Sequence, residues 1–231
     1  MFLRTLGQVV YGFKAEISDI LDQLLSPLLQ QVFSGLSQPI SGTDDEIQLR
    51  ELKQQYLNLV LVVLNNDLGP VLVSPANQGT FDAFLSTLTR FSCDPSDPQS
   101  ARLAISALLR MTTIWGGPDV DLASTDSPSP ALPGFDSFIL AQFAPLPWNL
   151  LSAPGFNAHD AQMRSVLQEA AALQWTILRK TGATYRDRLQ GELRNMGASN
   201  DGVQSYMASI AGDVVGFRKF FAGFVQAANK S

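Results

Sequence analysis

The chain has 231 residues, of which 45% are apolar and only 16% charged, with a formal net charge of −5. That balance excludes intrinsic disorder, and a single cysteine, Cys93, excludes a disulfide scaffold and points to a reducing compartment. The longest purely apolar run, Leu59 to Leu64, is far short of the ~20 residues a membrane span needs, and Met1 to Lys14 lacks the pattern of a secretory signal, so a soluble intracellular globular protein is expected.

The first strong pattern runs from Glu16 to Leu36. Its apolar positions, Ile17, Ile20, Leu21, Leu24, Leu25, Leu28, Leu29, Val32, Phe33 and Leu36, recur in steps of three and four and predict a helix, bent at Pro27. Thr43 with Glu46 three residues later has the spacing of a capping box, and the helix it opens continues to about Leu64. From Tyr56 onward that helix is apolar on nearly every side, so it must be covered from several directions.

Phe81, Phe84, Leu85, Leu88 and Phe91 mark the next helix. Asp97 as N-cap and Pro98 at the first helical position open its partner, which ends at Trp115-Gly116-Gly117-Pro118. Residues 119–133 carry Ser, Thr, Asp and Pro with few apolar positions and are expected to form an irregular, exposed and mobile loop. A short helix follows from Phe135 to Phe143, with Pro145 and Pro147 kinking or ending it.

Beyond a start near Asn157 and Asp160, the stripe Met163, Val166, Leu167, Ala170, Leu173 and Ile177 predicts a long helix closed by Arg179-Lys180-Thr181-Gly182. Three more are expected at about Thr184–Met196, Asp201–Ile210 and Asp213–Ala228. No strand pattern of useful length occurs. The long partner helices begin near residues 44, 97 and 159, at spacings of 53 and 62 (97−44 and 159−97), longer than the ~40–47 of standard HEAT or armadillo repeats but within reach of irregular ones. The predicted fold class is all-α, an α-solenoid of HEAT-like antiparallel helix pairs, with a closed helical bundle as the alternative.

Catalytic chemistry finds little support. His159 is the sole histidine and stands at a helix start without an evident partner. Cys93 has no second cysteine for metal ligation, and no glycine-rich phosphate loop with its lysine is present. No catalytic residue, metal site or cofactor is expected, and the protein is not expected to be an enzyme.

Charge is unevenly spread. Residues 1–160 hold 7 Lys/Arg and 16 Asp/Glu, a balance of −9, whereas residues 161–231 hold 9 Lys/Arg and 5 Asp/Glu, a balance of +4. A basic segment on an acidic body can face a polyanion; basic residues gathered at helix C-termini account for the same asymmetry.

Several stretches carry a resemblance. Leu49-Arg-Glu-Leu-Lys-Gln-Gln-Tyr56 leads into Leu57-Asn-Leu-Val-Leu-Val-Val-Leu64, followed by Pro75-Ala-Asn-Gln78 and by Asp97-Pro98 running on to Ile114-Trp115-Gly116-Gly117. Ala158-His-Asp-Ala-Gln162, Leu178-Arg-Lys-Thr-Gly182 and Phe217-Arg-Lys-Phe-Phe221 continue the series. Together they resemble the C-terminal HEAT repeats of the exportin-T family, karyopherins of the importin-β type that export transfer RNA, in its fungal form. The resemblance covers nearly the whole chain apart from Asp119 to Pro133.

The resemblance implies a nuclear export receptor that binds folded tRNA cooperatively with Ran-GTP, carries it from nucleus to cytoplasm and shuttles between the two. It implies that residues 1–231 are a single C-terminal segment of a receptor several times longer, with Ran bound mainly by N-terminal repeats that this chain does not contain. Nucleoporins are admitted as further partners, and membrane insertion is not expected. For the cargo, the positive groups Arg179, Lys180, Arg186, Arg188, Arg194, Arg218 and Lys219 are the expected RNA contacts, since duplex RNA is read chiefly through phosphates and 2′-hydroxyls. Arg186, Gln190 and Arg194 fall at steps of four on one polar helix face, with Asp187 and Glu192 interleaved. A HEAT-type scaffold that binds a protein partner without touching RNA is the competing reading, favoured by the acidic balance before residue 161.

Overall fold

A computed structural model describes residues 2–120 and 131–228. Every regular element among them is helical, and the fold class is all-α and solenoid-like, built from antiparallel helices packed side by side. The chain divides into two compact units, Met1–Ser92 and Cys93–Ser231.

The first unit opens with α1 (Phe2–Phe13), an amphipathic helix that buries Leu3 and Val10 and was not anticipated from the sequence. A 3₁₀ turn (Lys14–Ile17) passes into α2 (Ser18–Leu36), which runs through Pro27 and buries Leu21, Leu25, Leu29, Val32 and Leu36. Then come α3 (Thr43–Asn65), the single turn α4 (Gly69–Leu72) and α5 (Gln78–Ser92). Helix α3 packs against both α1 and α2, which explains why its second half is apolar all round.

The anticipated capping box at Thr43 does not form. Thr43 is already helical, and Gly42 before it is fully extended (φ −171°, ψ 178°) and offers no side chain. The Asp45 carboxylate instead reaches back to accept from the Ser41 hydroxyl at 2.5 Å and the Ser41 amide at 2.9 Å. Those bonds, the hydroxyl first, hold the Asp45 carboxyl below its ordinary value. Farther along, Asn77 of the Pro75–Gln78 stretch is a buried clamp. Its amide donates to the Asp22 carboxylate at 2.9 Å and to the Asp22 and Val71 carbonyls at 3.0 and 3.1 Å, while the Ser74 hydroxyl donates to the same carboxylate at 2.5 Å.

In the second unit, Asp97 caps α6 (Pro98–Trp115) by accepting from the Ser100 amide at 3.2 Å, as its Asp-Pro spacing predicts. After α7 (Phe135–Phe138), a π-helical turn (Ile139–Phe143) and α8 (Leu146–Leu151) comes the hub of this unit, α9 (Ala161–Thr181), capped by Asp160, which accepts from the amides of Gln162 and Met163 at 2.8 Å. Helix α9 packs against α6, α8, α10 (Ala183–Asn195) and α12 (Val214–Ala228), and α11 (Asn200–Ala211) joins the last two. Buried Ala101, Ala104 and Ala107 on α6 and Ala170, Ala171 and Ala172 on α9 supply small side chains that allow close helix approach. Most of the stretch 119–133 read as an exposed loop, namely residues 121–130, lies outside the described residues.

Among the described residues no helix is long and apolar enough to cross a membrane. Tyr56, Tyr185 and Tyr206 are wholly buried, and burial pushes their phenols well above the ordinary value of 10.0. The native state therefore keeps protons that the unfolded chain releases near pH 10, so stability present below that value is lost as pH rises above it, toward the raised native values. We predict that phenolate absorbance from these three tyrosines appears only together with loss of helical circular dichroism. Ionisation of all three before any helix loss would contradict their burial.

Candidate nucleic-acid interface

The cations at the end of the chain sit on α9, α10 and α12, and most of them are spent inside the second unit. Arg179 lies in the last turn of α9 with its guanidinium 4.8 Å from the centre of the Trp175 ring. Its Nη2 donates to the carbonyls of Ala211 at 3.3 Å and Gly212 at 3.4 Å, and Trp175 Nε1 donates to the same Gly212 oxygen at 2.9 Å. A positive charge is thus placed on the unpaired carbonyls that close α11, where the helix dipole favours it.

Lys180 is only 8% exposed. Its ammonium donates to the Gly117 carbonyl at 2.5 Å and pairs with Asp119 at 2.7 Å. The stem passes so close to the end of α6 that a Cβ on Gly116 would stand 2.9 Å from Lys180 Cγ and 2.5 Å from the Thr112 carbonyl oxygen. Gly116 therefore does more than end a helix: it makes room for this lysine. Alongside, the Val120 amide donates to the Arg179 carbonyl at 2.7 Å, and the Leu132 amide donates to the Trp115 carbonyl at 3.2 Å.

Arg188 Nε donates to Glu192 at 2.6 Å, and its Nη1 donates to the Leu140 carbonyl. The other oxygen of Glu192 accepts from Trp148 Nε1 at 2.8 Å, so one ion pair ties α10 to α8 and the π turn. On α12, Arg218 lies 3.7 Å from Glu169 of α9, whose second oxygen accepts from Ser106 of α6 at 3.3 Å. The remaining expected contacts differ in setting. Arg186 is half-buried and engaged within the protein, whereas Arg194 and Lys219 are exposed.

Four of the seven expected contacts, Arg179, Lys180, Arg188 and Arg218, are thus internal struts that fasten α9 and its neighbours. They do not converge on one surface point. A feature that sequence reasoning passed over lies beside Arg194: a hollow of about 430 Å³ between α10 and α11, lined by Gln190, Arg194, Asn200, Val203, Gln204 and Met207. Asn200 and Gln204 are four residues apart on α11, a spacing that marks one helix face once the start of α11 at Ser199 is known.

The family model described as Exportin-T matches residues 1–229. The chain belongs to the exportin-T family. Exportin-T of Emericella nidulans is 50% identical over 231 residues, covering 98% of this chain and 22% of that protein. Exportin-T of Aspergillus clavatus is 48% identical over 233 residues, with 98% and 22% covered, and that of Phaeosphaeria nodorum 47% identical over 237 residues, with 97% and 23% covered. The chain therefore spans 22–23% of the length of these curated exportin-T relatives.

Proposed function

We propose that this chain is the C-terminal, cargo-facing part of a nuclear export receptor that binds folded tRNA cooperatively with Ran-GTP and carries it from nucleus to cytoplasm. The observation that carries the reading is the exportin-T family match over residues 1–229. The cations of the +4 segment that stay exposed, Arg194 and Lys219, support it, because positive side chains attract the phosphates by which folded RNA is chiefly held. Ran is contacted mainly by other repeats of the longer receptor. The −9 balance over residues 1–160 favours a protein partner there, with tRNA kept to the basic end.

The test is tRNA affinity of the full-length receptor with Ran-GTP across a salt series. Arg194→Glu combined with Lys219→Glu reverses two exposed charges without touching the struts. Each phosphate contact contributes about 0.9 to the slope of log affinity against log salt, so the double variant should bind more weakly with a slope shallower by roughly 2. An unchanged affinity and slope would remove tRNA contact from this region and leave the protein-binding scaffold as the reading. Arg188→Glu is unsuited to the test, because it breaks the link to Glu192 and Leu140 and so disturbs packing as well as charge.

A further inference from the structure

We infer that the hollow between α10 and α11 receives one ribose-phosphate unit of an RNA strand and reads its 2′-hydroxyl, so that this corner separates RNA from DNA. The inference rests on the tRNA-binding reading and names the chemistry by which one part of the surface would serve it. Three primary amides, Gln190, Asn200 and Gln204, line the hollow together with the guanidinium of Arg194. Each amide offers two donor hydrogens and an acceptor oxygen, which matches a hydroxyl that both donates and accepts. The guanidinium fork matches a phosphate. Val203, buried, and Met207, half-buried, supply an apolar surface for the carbon face of a sugar. At about 430 Å³ the hollow lies in the lower part of the range of small-ligand sites, roughly 300–1,000 Å³.

The electrostatics favour this over attraction of phosphates alone. Arg179, Lys180, Arg188 and Arg218 each hold a partner within the unit. Among the described residues that line the hollow, Arg194 is the one cation. Counterion release from so few cations is weak, and hydrogen bonds to the sugar must supply what charge does not. A peptide segment could also meet amides, but an exposed arginine within a basic stretch fits a polyanion better, and a protein occupant is one outcome of the test.

The experiment measures binding of the full-length receptor with Ran-GTP to a short RNA hairpin and to a DNA hairpin of the same sequence, by fluorescence anisotropy over a salt series. The unaltered receptor should prefer RNA by about tenfold, the worth of one or two hydrogen bonds. Gln190→Ala and Gln204→Ala should each lower that preference by roughly threefold and leave DNA affinity unchanged. Arg194→Ala should weaken RNA and DNA alike and reduce the salt slope by roughly one. All three positions are half-buried or exposed, and unchanged circular dichroism confirms that the variants fold. If Arg194→Ala acts but neither glutamine variant moves the RNA preference, ribose reading is overturned while phosphate contact stands. If Arg194→Ala changes nothing, the hollow takes no nucleic acid and a protein occupant takes its place, whereas a receptor without RNA affinity overturns the tRNA reading itself.

Discussion

Phe221→Ala should lower the stability of the second unit by about 4 kcal/mol, the usual cost of emptying a wholly buried phenylalanine site. The ring has no exposure and lies 6.1 Å from Trp148, 6.3 Å from Tyr206 and 6.0 Å from Phe217 by centroid. It therefore joins α12 to α8 and α11, and its loss leaves a cavity that three large rings cannot close by small rotations. All three tryptophans, Trp115, Trp148 and Trp175, lie in this unit, so a thermal scan followed by tryptophan fluorescence reports it selectively. A fall in Tm of roughly 8–16 °C is expected for a unit of this size. Phe221→Leu, which refills most of the space, should cost about 1.5 kcal/mol or less. A shift under 1 kcal/mol for the alanine variant would mean that the aromatic face of α12 is not packed as described.

Gly182→Ala should cost about 3 kcal/mol, for two separable reasons. The residue joins α9 to α10 at φ +55° and ψ −125°, a region essentially closed to residues with a Cβ. That Cβ would also stand 3.2 Å from Val120 Cγ2, where the chain is held by the Val120–Arg179 hydrogen bond. Adding Val120→Ala to Gly182→Ala should restore the steric part and leave the backbone strain, a coupling that a double-mutant cycle measures. Gly182→Asn should be no better tolerated than alanine, because asparagine favours the left-handed helical region and not this one. Gly134→Asn is the control: at φ 76° and ψ 1°, with nothing within 4 Å of its added Cβ, it should cost under ~1 kcal/mol. Equal tolerance of asparagine at both positions would refute the argument.

The two positions show what a sequence of this kind makes legible. Gly182 reads plainly as the end of a helix, but its contact with Val120 spans 62 residues and has no local signature. The same division runs through the molecule. Stripes at steps of three and four announced the long helices, and Asp97 and Asp160 announced their starts, because those signals are local and energetically strong. Helix α1 buries only Leu3 and Val10, a stripe too sparse to announce itself. At Thr43 the local code is degenerate. Ser41, Thr43 and Asp45 all have capping chemistry, and only the extended Gly42 decides that Asp45 pairs with Ser41.

For the interface, the charges were legible and their partners were not. The ammonium of Lys180 meets a carbonyl 63 residues away, and the guanidinium of Arg179 meets carbonyls 32 and 33 residues away. Only Arg188–Glu192, four residues apart, follows the helical rule that a sequence reveals. Gln190 was legible beside Arg194 on one polar face, but Asn200 and Gln204 were hidden for a similar reason: such amides are unremarkable on a helix surface until two helices bring them to one edge.

The hydrogen bonds from Val120 to Arg179 and from Leu132 to Trp115 also fix where this unit can absorb change in chain length. Each ties one flank of residues 121–130 to the end of a long helix, so the helices are already joined on either side whatever lies between. Splicing a reporter peptide between Val120 and Leu132 should accordingly leave the helical packing and the α10–α11 hollow undisturbed. The same insertion after Lys180 would pull apart the joint on which the unit turns.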